Sequence, residues 1–260
     1  MTVLIIVIAI LVVCFFYWQD TALQVTHHTI HTSKDTSLKI AHLSDIHNTE
    51  LSELTASLLR QVKLNEPDII VITGDLIDRR FTDIPNALNL VRSLCQIAPV
   101  YYIMGNHEAW CDDYPQLEAG LKENHVIILR NDTVDFNDDY EIIGLENPPY
   151  NEPDLRKVLD SLTINNDKYS IMLSHRPEWF DIYQQYPVDL ILSGHCHGGQ
   201  IRLPFLGGLF APNQGILPKL TAGLHSANGT DMIISRGIGN SAFPFRVFNR
   251  PQLIIINLEK

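Results

Sequence analysis

The first 18 residues, MTVLIIVIAILVVCFFYW, hold no charged side chain, and the first to follow is Asp20. An apolar run of this length approaches what a helix needs to cross a bilayer. Phe15, Phe16, Tyr17 and Trp18 gather at its end, where an interfacial aromatic belt sits. A helix packed inside a soluble domain would show a polar face, and a cleaved leader would show a basic start and a small-residue cleavage site. This run has neither. The pattern predicts an uncleaved, single-pass membrane anchor over residues 1–19; its orientation stays open, because no Lys or Arg precedes Lys34.

Residues 20–37 follow as a short linker and edge strand: LQVTHHTIHT alternates with a period of two, and SKDTS reads as a turn. His27, His28 and His31 are taken as exposed strand histidines rather than a metal cluster. From Leu38 to the end, residues 38–260, short apolar runs closed by polar punctuation alternate with helical stretches. LKIAHLSD, PDIIVITGD, PVYYIMGNHE and HVIILR read as strands, separated by helices at SELTASLLRQVK, DIPNALNLVRSL and YPQLEAGLKEN. TVDFNDDYEIIGLE reads as a hairpin, EPDLRKVLDSL as a helix, and KYSIMLSH, PVDLILSGHCH, DMIISRGIG and QLIIINLE as further strands. Near-continuous apolar strands imply burial on both faces, so the pattern predicts an α/β domain of two sheets with helices outside.

Charge and cysteine content narrow the chemistry. The formal net charge of −11 disfavours a nucleic-acid partner, because such binding needs Lys and Arg spread over the phosphates. An acidic protein that handles anionic substrates needs another attractor, and bound divalent metals supply one. Four cysteines in a chain of this length, with Cys14 inside the apolar run, do not make a disulfide framework.

The informative residues sit at the carboxyl ends of the predicted strands, where loops of α/β sheets converge on a shared crevice. The first strand ends in Asp45 and His47, the second in Gly74-Asp75, the third in Gly105-Asn106-His107. Later strands end in Ser174-His175 and in Gly194-His195-Cys196-His197. Singly, each has an ordinary explanation as a helix cap, a turn residue or a buried histidine. Together, all five strand ends supply carboxylate, amide or imidazole, the donors that suit Mn, Fe or Zn. Residues two apart in an extended chain share a side, so D-x-H and H-x-H are expected to aim both donors at one ion or at neighbouring ions, with Cys196 facing away. A pair of ions about 3.5 to 4 Å apart forms a clamp for in-line displacement at phosphorus.

The set of motifs resembles the calcineurin-like metallophosphoesterases. It appears here, in order, as DIH from Asp45, GDLID from Gly74, GNHE from Gly105, LSHRPE around His175 and GHCHGGQ from Gly194. The tail SRGIGNSAFPFRVFNRPQL is similar to the membrane-anchored bacterial branch. The resemblance implies a four-layer α/β/β/α sandwich, a hydrolase acting on phosphoric ester or pyrophosphate bonds, and two divalent metal ions. It assigns one ion to Asp45, His47, Asp75 and His197, and the other to Asp75, Asn106, His175 and His195, with Asp75 shared. It makes His107 the catalytic group on the leaving oxygen, and Asp78 and Glu108 residues that orient histidines. Purple acid phosphatases of the superfamily carry Tyr where this chain has Asp78, so no tyrosinate-to-iron colour is implied.

For the substrate, LPFLGGLFAPNQGILPKL follows the last motif directly. Either this segment covers the core, or Phe205, Leu206, Leu209 and Phe210 form an apolar surface for a lipid-linked phosphate. The anchored branch includes members resembling UDP-2,3-diacylglucosamine diphosphatases of lipid A synthesis, which makes that activity a live alternative. A non-catalytic metal-binding scaffold is disfavoured, because all seven ligand positions and His107 are present.

Overall fold

The computed structural model describes residues 1–49, 53–146, 151–240 and 243–260. Helix α1 (Thr2–Thr21) projects from the domain, with Gln19 its one buried side chain, and runs two residues past the expected anchor boundary. Strands β1 (Gln24–His31) and β2 (Leu38–Leu43) lead to helix α2 (Glu53–Asn65), and Ser52, placed in that helix by the sequence pattern, lies outside the described residues. Then come β3 (Ile69–Thr73), α3 (Ile84–Cys95), β4 (Val100–Ile103), α4 (Asn106–Ala109), α5 (Tyr114–Glu123) and β5 (Ile127–Ile128). The second half contains β6 (Asp132–Asp135), β7 (Tyr140–Gly144), α6 (Glu152–Ser161), β8 (Tyr169–Leu173), α7 (Phe180–Tyr183) and β9 (Leu190–Ser193). Two small ladders, β10 (Arg202–Leu203) with β11 (Gly207–Gly208) and β12 (Phe210–Ala211) with β13 (Gly215–Ile216), precede β14 (Gly223–Ala227), β15 (Thr230–Ile234) and β16 (Gln252–Glu259).

Local chemistry explains where the helices start. The Asp83 carboxylate caps α3 by accepting from Asn86 N at 3.1 Å, and the Asn151 side chain caps α6 by accepting from Asp154 N at 3.1 Å. Each has proline in its first turn, where no amide partner is lost.

The strands form two six-stranded sheets, ordered β1-β16-β2-β3-β4-β5 and β14-β15-β9-β8-β7-β6. In β3, Ile70 and Ile72 face a layer formed by α2, α3 and α5, while Ile69 and Val71 face the opposite sheet. The inter-sheet layer continues through Ile40, Tyr101, Ile142, Ile171 and Leu190. Beyond the second sheet, Ile143, Met172 and Ile191 pack under Leu155, Leu159, Phe180 and Tyr183 of α6 and α7. The result is the expected four-layer α/β/β/α sandwich. β1 is an edge strand as predicted, paired in parallel with β16, and β6–β7 is the predicted hairpin.

Strand β14 and the two small ladders had no counterpart in the apolar pattern. β14 is GLHSA, poor in β-branched residues and largely at the surface, so it carries no periodic signal.

Candidate metal centre

The carboxyl ends of β2, β3 and β4 in one sheet meet those of β8 and β9 in the other. Two loops interlock first: Asp45 N donates to Gly74 O at 3.0 Å, and Ile46 N and His47 N both donate to Asp75 O. The side chains of Asp45, His47, Asp75, Asn106, His175, His195 and His197 are all buried there.

These side chains form two groups. In the first, Asp45 Oδ1 lies 3.4 Å from His197 Nε2, and His47 Nε2 lies 3.0 Å from the same nitrogen. In the second, His175 Nε2 lies 3.3 Å from Asp75 Oδ2, 3.2 Å from His195 Nδ1 and 3.1 Å from Asn106 Oδ1. Asp75 stands between them, its Oδ2 also 3.7 Å from His47 Nε2. Within each of the trios Asp45–His47–His197 and Asp75–His175–His195, one donor atom per residue lies within 4.8 Å of the others. Imidazole edges and carboxylate oxygens this close, sealed from water, fit cations in the middle.

The electrostatics agree with that fit. Burial lowers His47 to about 4 and pulls His195 and His197 well below the usual imidazole range, which favours the neutral rings that can act as ligands. Burial also lowers His175, but the negative charges of Asp75 and Asp45 outweigh it and raise its pKa to about 9. Burial opposes ionisation of Asp75 too, and the His175 ring overrides it and holds the carboxyl well below the usual range. In the metal-free chain the proton on His175 faces the Asp75 carboxylate.

The backbone here is not extended. Asp45, His47, Asp75, His195 and His197 have φ of 51°, 48°, 51°, 68° and 45°. The expected alternation along D-x-H and H-x-H is therefore corrected: left-handed turns, fixed by contacts between loops, aim these side chains. Cys196 still faces away from the histidines, because its buried Sγ accepts from Gln214 Nε2 at 3.2 Å. Two glycines make room for the carboxylates: a Cβ on Gly105 would meet Asp75 Oδ1 at 2.2 Å, and one on Gly194 would meet Asp45 Oδ2 at 2.3 Å.

His107 lies at the rim, its ring edge-on to His47 with centroids 4.5 Å apart. Its Nδ1 accepts from Arg79 N at 3.2 Å, which leaves the ring proton on Nε2. Burial shifts His107 below the usual imidazole range. Asp78 lies 3.8 Å from His47 Nδ1 and 3.4 Å from His107 Nδ1 and pairs with Arg80, so it does contact histidines. Glu108 differs from expectation, since its carboxylate accepts from the backbone amides of Asp75, Ile77 and Gly105 at 2.9, 2.9 and 2.8 Å. It clamps the two metal loops rather than a histidine.

Two contacts escaped the sequence because they are long-range. The Asn213 side-chain amide bridges His195 Nε2 at 3.4 Å and Glu178 Oε1 at 3.0 Å. Asn249 Nδ2 donates to His197 O at 2.7 Å. Of the apolar segment beside the site, Phe205, Leu206 and Phe210 are exposed and Leu209 is half-buried, so its aromatic and leucine tips do not cover the core.

Residues 38–199 match the family model described as calcineurin-like phosphoesterase, and the chain belongs to that family of metallophosphoesterases. An uncharacterized metallophosphoesterase of Campylobacter jejuni is 34% identical over 229 residues, covering 85% of this chain, which spans only 59% of that relative's length. The uncharacterized metallophosphoesterase YkuE of Bacillus subtilis is 29% identical over 256 residues, covering 94% of this chain and 88% of the relative. The phosphodiesterase YaeI of Escherichia coli K12 is 25% identical over 272 residues, with coverage of 93% and 90%. A crystal structure of a Thermus thermophilus protein superposes with a TM-score of 0.52 at 12% identity over 78% of this chain and 91% of the other, a likeness of fold.

Proposed function

We propose that this metallophosphoesterase hydrolyses a phosphodiester or pyrophosphate bond in a lipid-linked substrate, at a dinuclear metal centre, while anchored to the membrane by α1. The observation that carries the reading is the position of Asp75 between two buried donor groups, 3.3 Å from His175 on one side and 3.7 Å from His47 on the other. Asp45, His47, Asp75 and His197 would hold one ion and Asp75, Asn106, His175 and His195 the second, and Mn, Fe or Zn suits these donors. When bound, such a pair neutralises phosphoryl oxygens and activates the attacking water.

The chain's own groups do the rest. With Nδ1 tied to Arg79 N, His107 presents Nε2–H at the rim, where it donates to the leaving oxygen. Burial keeps the free ring neutral near pH 7, so stabilising that oxygen by hydrogen bonding is its first contribution. The exposed Phe205, Leu206 and Phe210, with Leu209 beneath, offer acyl contact. Support for the anchor is a 20-residue apolar helix that is almost wholly outside the domain. A phosphodiesterase among the relatives supports the diester over the monoester. Nothing in the site's described side chains selects uridine or a diacyl sugar, so the proposal stops at a lipid-linked phosphate ester.

The test uses the full chain in detergent micelles with Mn, assayed on a phosphomonoester, bis-p-nitrophenyl phosphate and a lipid-linked diphosphate. The expected order places the diester and the lipid diphosphate above the monoester. Phe205→Ser with Phe210→Ser should slow the lipid substrate alone. His107→Ala should keep its metal and lose about 10²-fold or more in turnover. Equal rates of wild type and His107→Ala would remove that residue from the mechanism.

A further inference from the structure

The metal loop and the end of α1 are joined through a single residue. Asn249 N donates to Gln19 Oε1 at 3.1 Å, while its side chain donates to His197 O at 2.7 Å. Around that link, Asp20 Oδ1 accepts from Arg246 N at 2.9 Å, Phe15 packs on Phe248 at 5.6 Å and Phe16 on Phe245 at 5.2 Å. Arg250 lies over the Trp18 ring at 4.8 Å. The aromatic end of α1, the part that sits at a bilayer interface, is thus in contact with 243–250 and not separated from it by a linker.

Phe243, Phe245 and Phe248 are exposed beside this contact. The second apolar surface starts from the same place, since Ile201 pairs with Val247 and Arg202 N donates to Val247 O at 2.9 Å. From there the chain presents Phe205, Leu206, Phe210, Ile216 and Leu217 to solvent, with Phe205 fully exposed. Large apolar side chains exposed together require a partner.

Charge says which partner. Between Ile201 and Leu258 the sequence carries one carboxylate, Asp231, against five basic residues, of which Lys219 is exposed, Arg202, Arg236 and Arg250 are half-buried and Arg246 is buried, in a chain whose formal net charge is −11. Acidic side chains, which would repel an anionic surface, are reduced to one in this part of the chain, where the exposed aromatic side chains stand with Lys219 and the half-buried Arg202 and Arg250.

We propose that 205–217 and 243–248 embed in the interface of an anionic bilayer and, with the end of α1, seat the metal cleft against the lipid headgroups. The inference rests on the reading of α1 as a membrane anchor. It adds a second, monotopic contact that fixes the orientation of the domain, so that the phosphate to be cleaved is presented in the plane of the membrane.

The test uses the full chain in vesicles of phosphatidylcholine and phosphatidylglycerol, with and without bromine on the acyl chains. Bromine quenches tryptophan that reaches the acyl region. Phe205→Trp and Phe243→Trp each add one fluorophore on the proposed face. Leu64→Trp adds one at an exposed position of α2, outside it. The native Trp18 reports the anchor, by the quenching lost in Trp18→Phe. The proposal expects the emission added at 205 and at 243 to fall about twofold in brominated vesicles, while that added at 64 is unchanged. If positions 205 and 243 quench no more than position 64 while Trp18 is quenched, the embedded face is refuted and the anchor stands. An unquenched Trp18 overturns the anchor and the proposal with it.

Discussion

Glu108→Gln tests the claim that a buried carboxylate holds the metal loops together from behind. Oε2 accepts from Asp75 N and Gly105 N, and Oε1 accepts from Ile77 N. A glutamine has one acceptor oxygen. Whichever way its amide turns, an NH₂ donor then faces one or two backbone N–H groups that are sealed from water. Each buried donor left unpaired costs about 1–3 kcal/mol, so one or two of them cost about 1–6 kcal/mol. For a domain of this size that is a fall of roughly 2–24 °C in Tm. The loss is local, because Asp75 and Gly105 belong to the loops that carry the shared carboxylate and Asn106. Metal content, measured by mass spectrometry after gel filtration, should fall along with Tm. Glu141→Gln is the control, since both Glu141 oxygens accept from the single Asn165 N and either amide orientation keeps that bond. If Glu108→Gln melted with wild-type Tm and retained wild-type metal, the clamp would be refuted.

Two further predictions concern the same loops. Gly194→Ala would place a Cβ 1.8 Å from Ser44 Oγ and 2.3 Å from Asp45 Oδ2; titration with Mn should show about tenfold or greater loss of affinity with far-UV circular dichroism preserved. Metal binding should release a proton near pH 7.5, because Asp75 and Asp45 keep His175 protonated up to about 9 against the opposing effect of burial. The sign follows for the metal-free chain: a histidine raised from 6.5 to about 9 stabilises the fold fully below 6.5, and that stability is lost as pH rises towards 9. Calorimetry in buffers of different ionisation enthalpy measures the proton release, and a buffer-independent heat would contradict it.

Much of this was legible in the chain because the central strands of both sheets are buried on both faces. IIVIT in β3 has no polar position until the strand ends, so its end is conspicuous, and so are Gly74 and Asp75 just beyond it. The motifs at the other four strand ends stood out for the same reason. What the sequence could not supply is the direction of the side chains. Alternation assumed extended backbone, whereas Asp45, His47, His195 and His197 adopt positive φ under constraints from loops far away in sequence. Glu108 looked like a partner for histidines because its neighbours are ligand candidates, yet its acceptors are spent on amides 31 and 33 residues away as well as on Gly105 N. Asn213 and Asn249 lay in stretches noted for their apolar side chains or for their resemblance, with nothing to single out either amide, and only the packing of the chain's last third brings them to His195 and His197.

The central claim is that two cations share Asp75. Metal per chain, measured on Mn-loaded wild type and on Asp75→Asn, tests it most directly: about two ions in the wild type, and at most one, weakly held, in the variant, with activity lost. A wild-type chain saturating at one ion, or Asp75→Asn retaining two, would contradict the account.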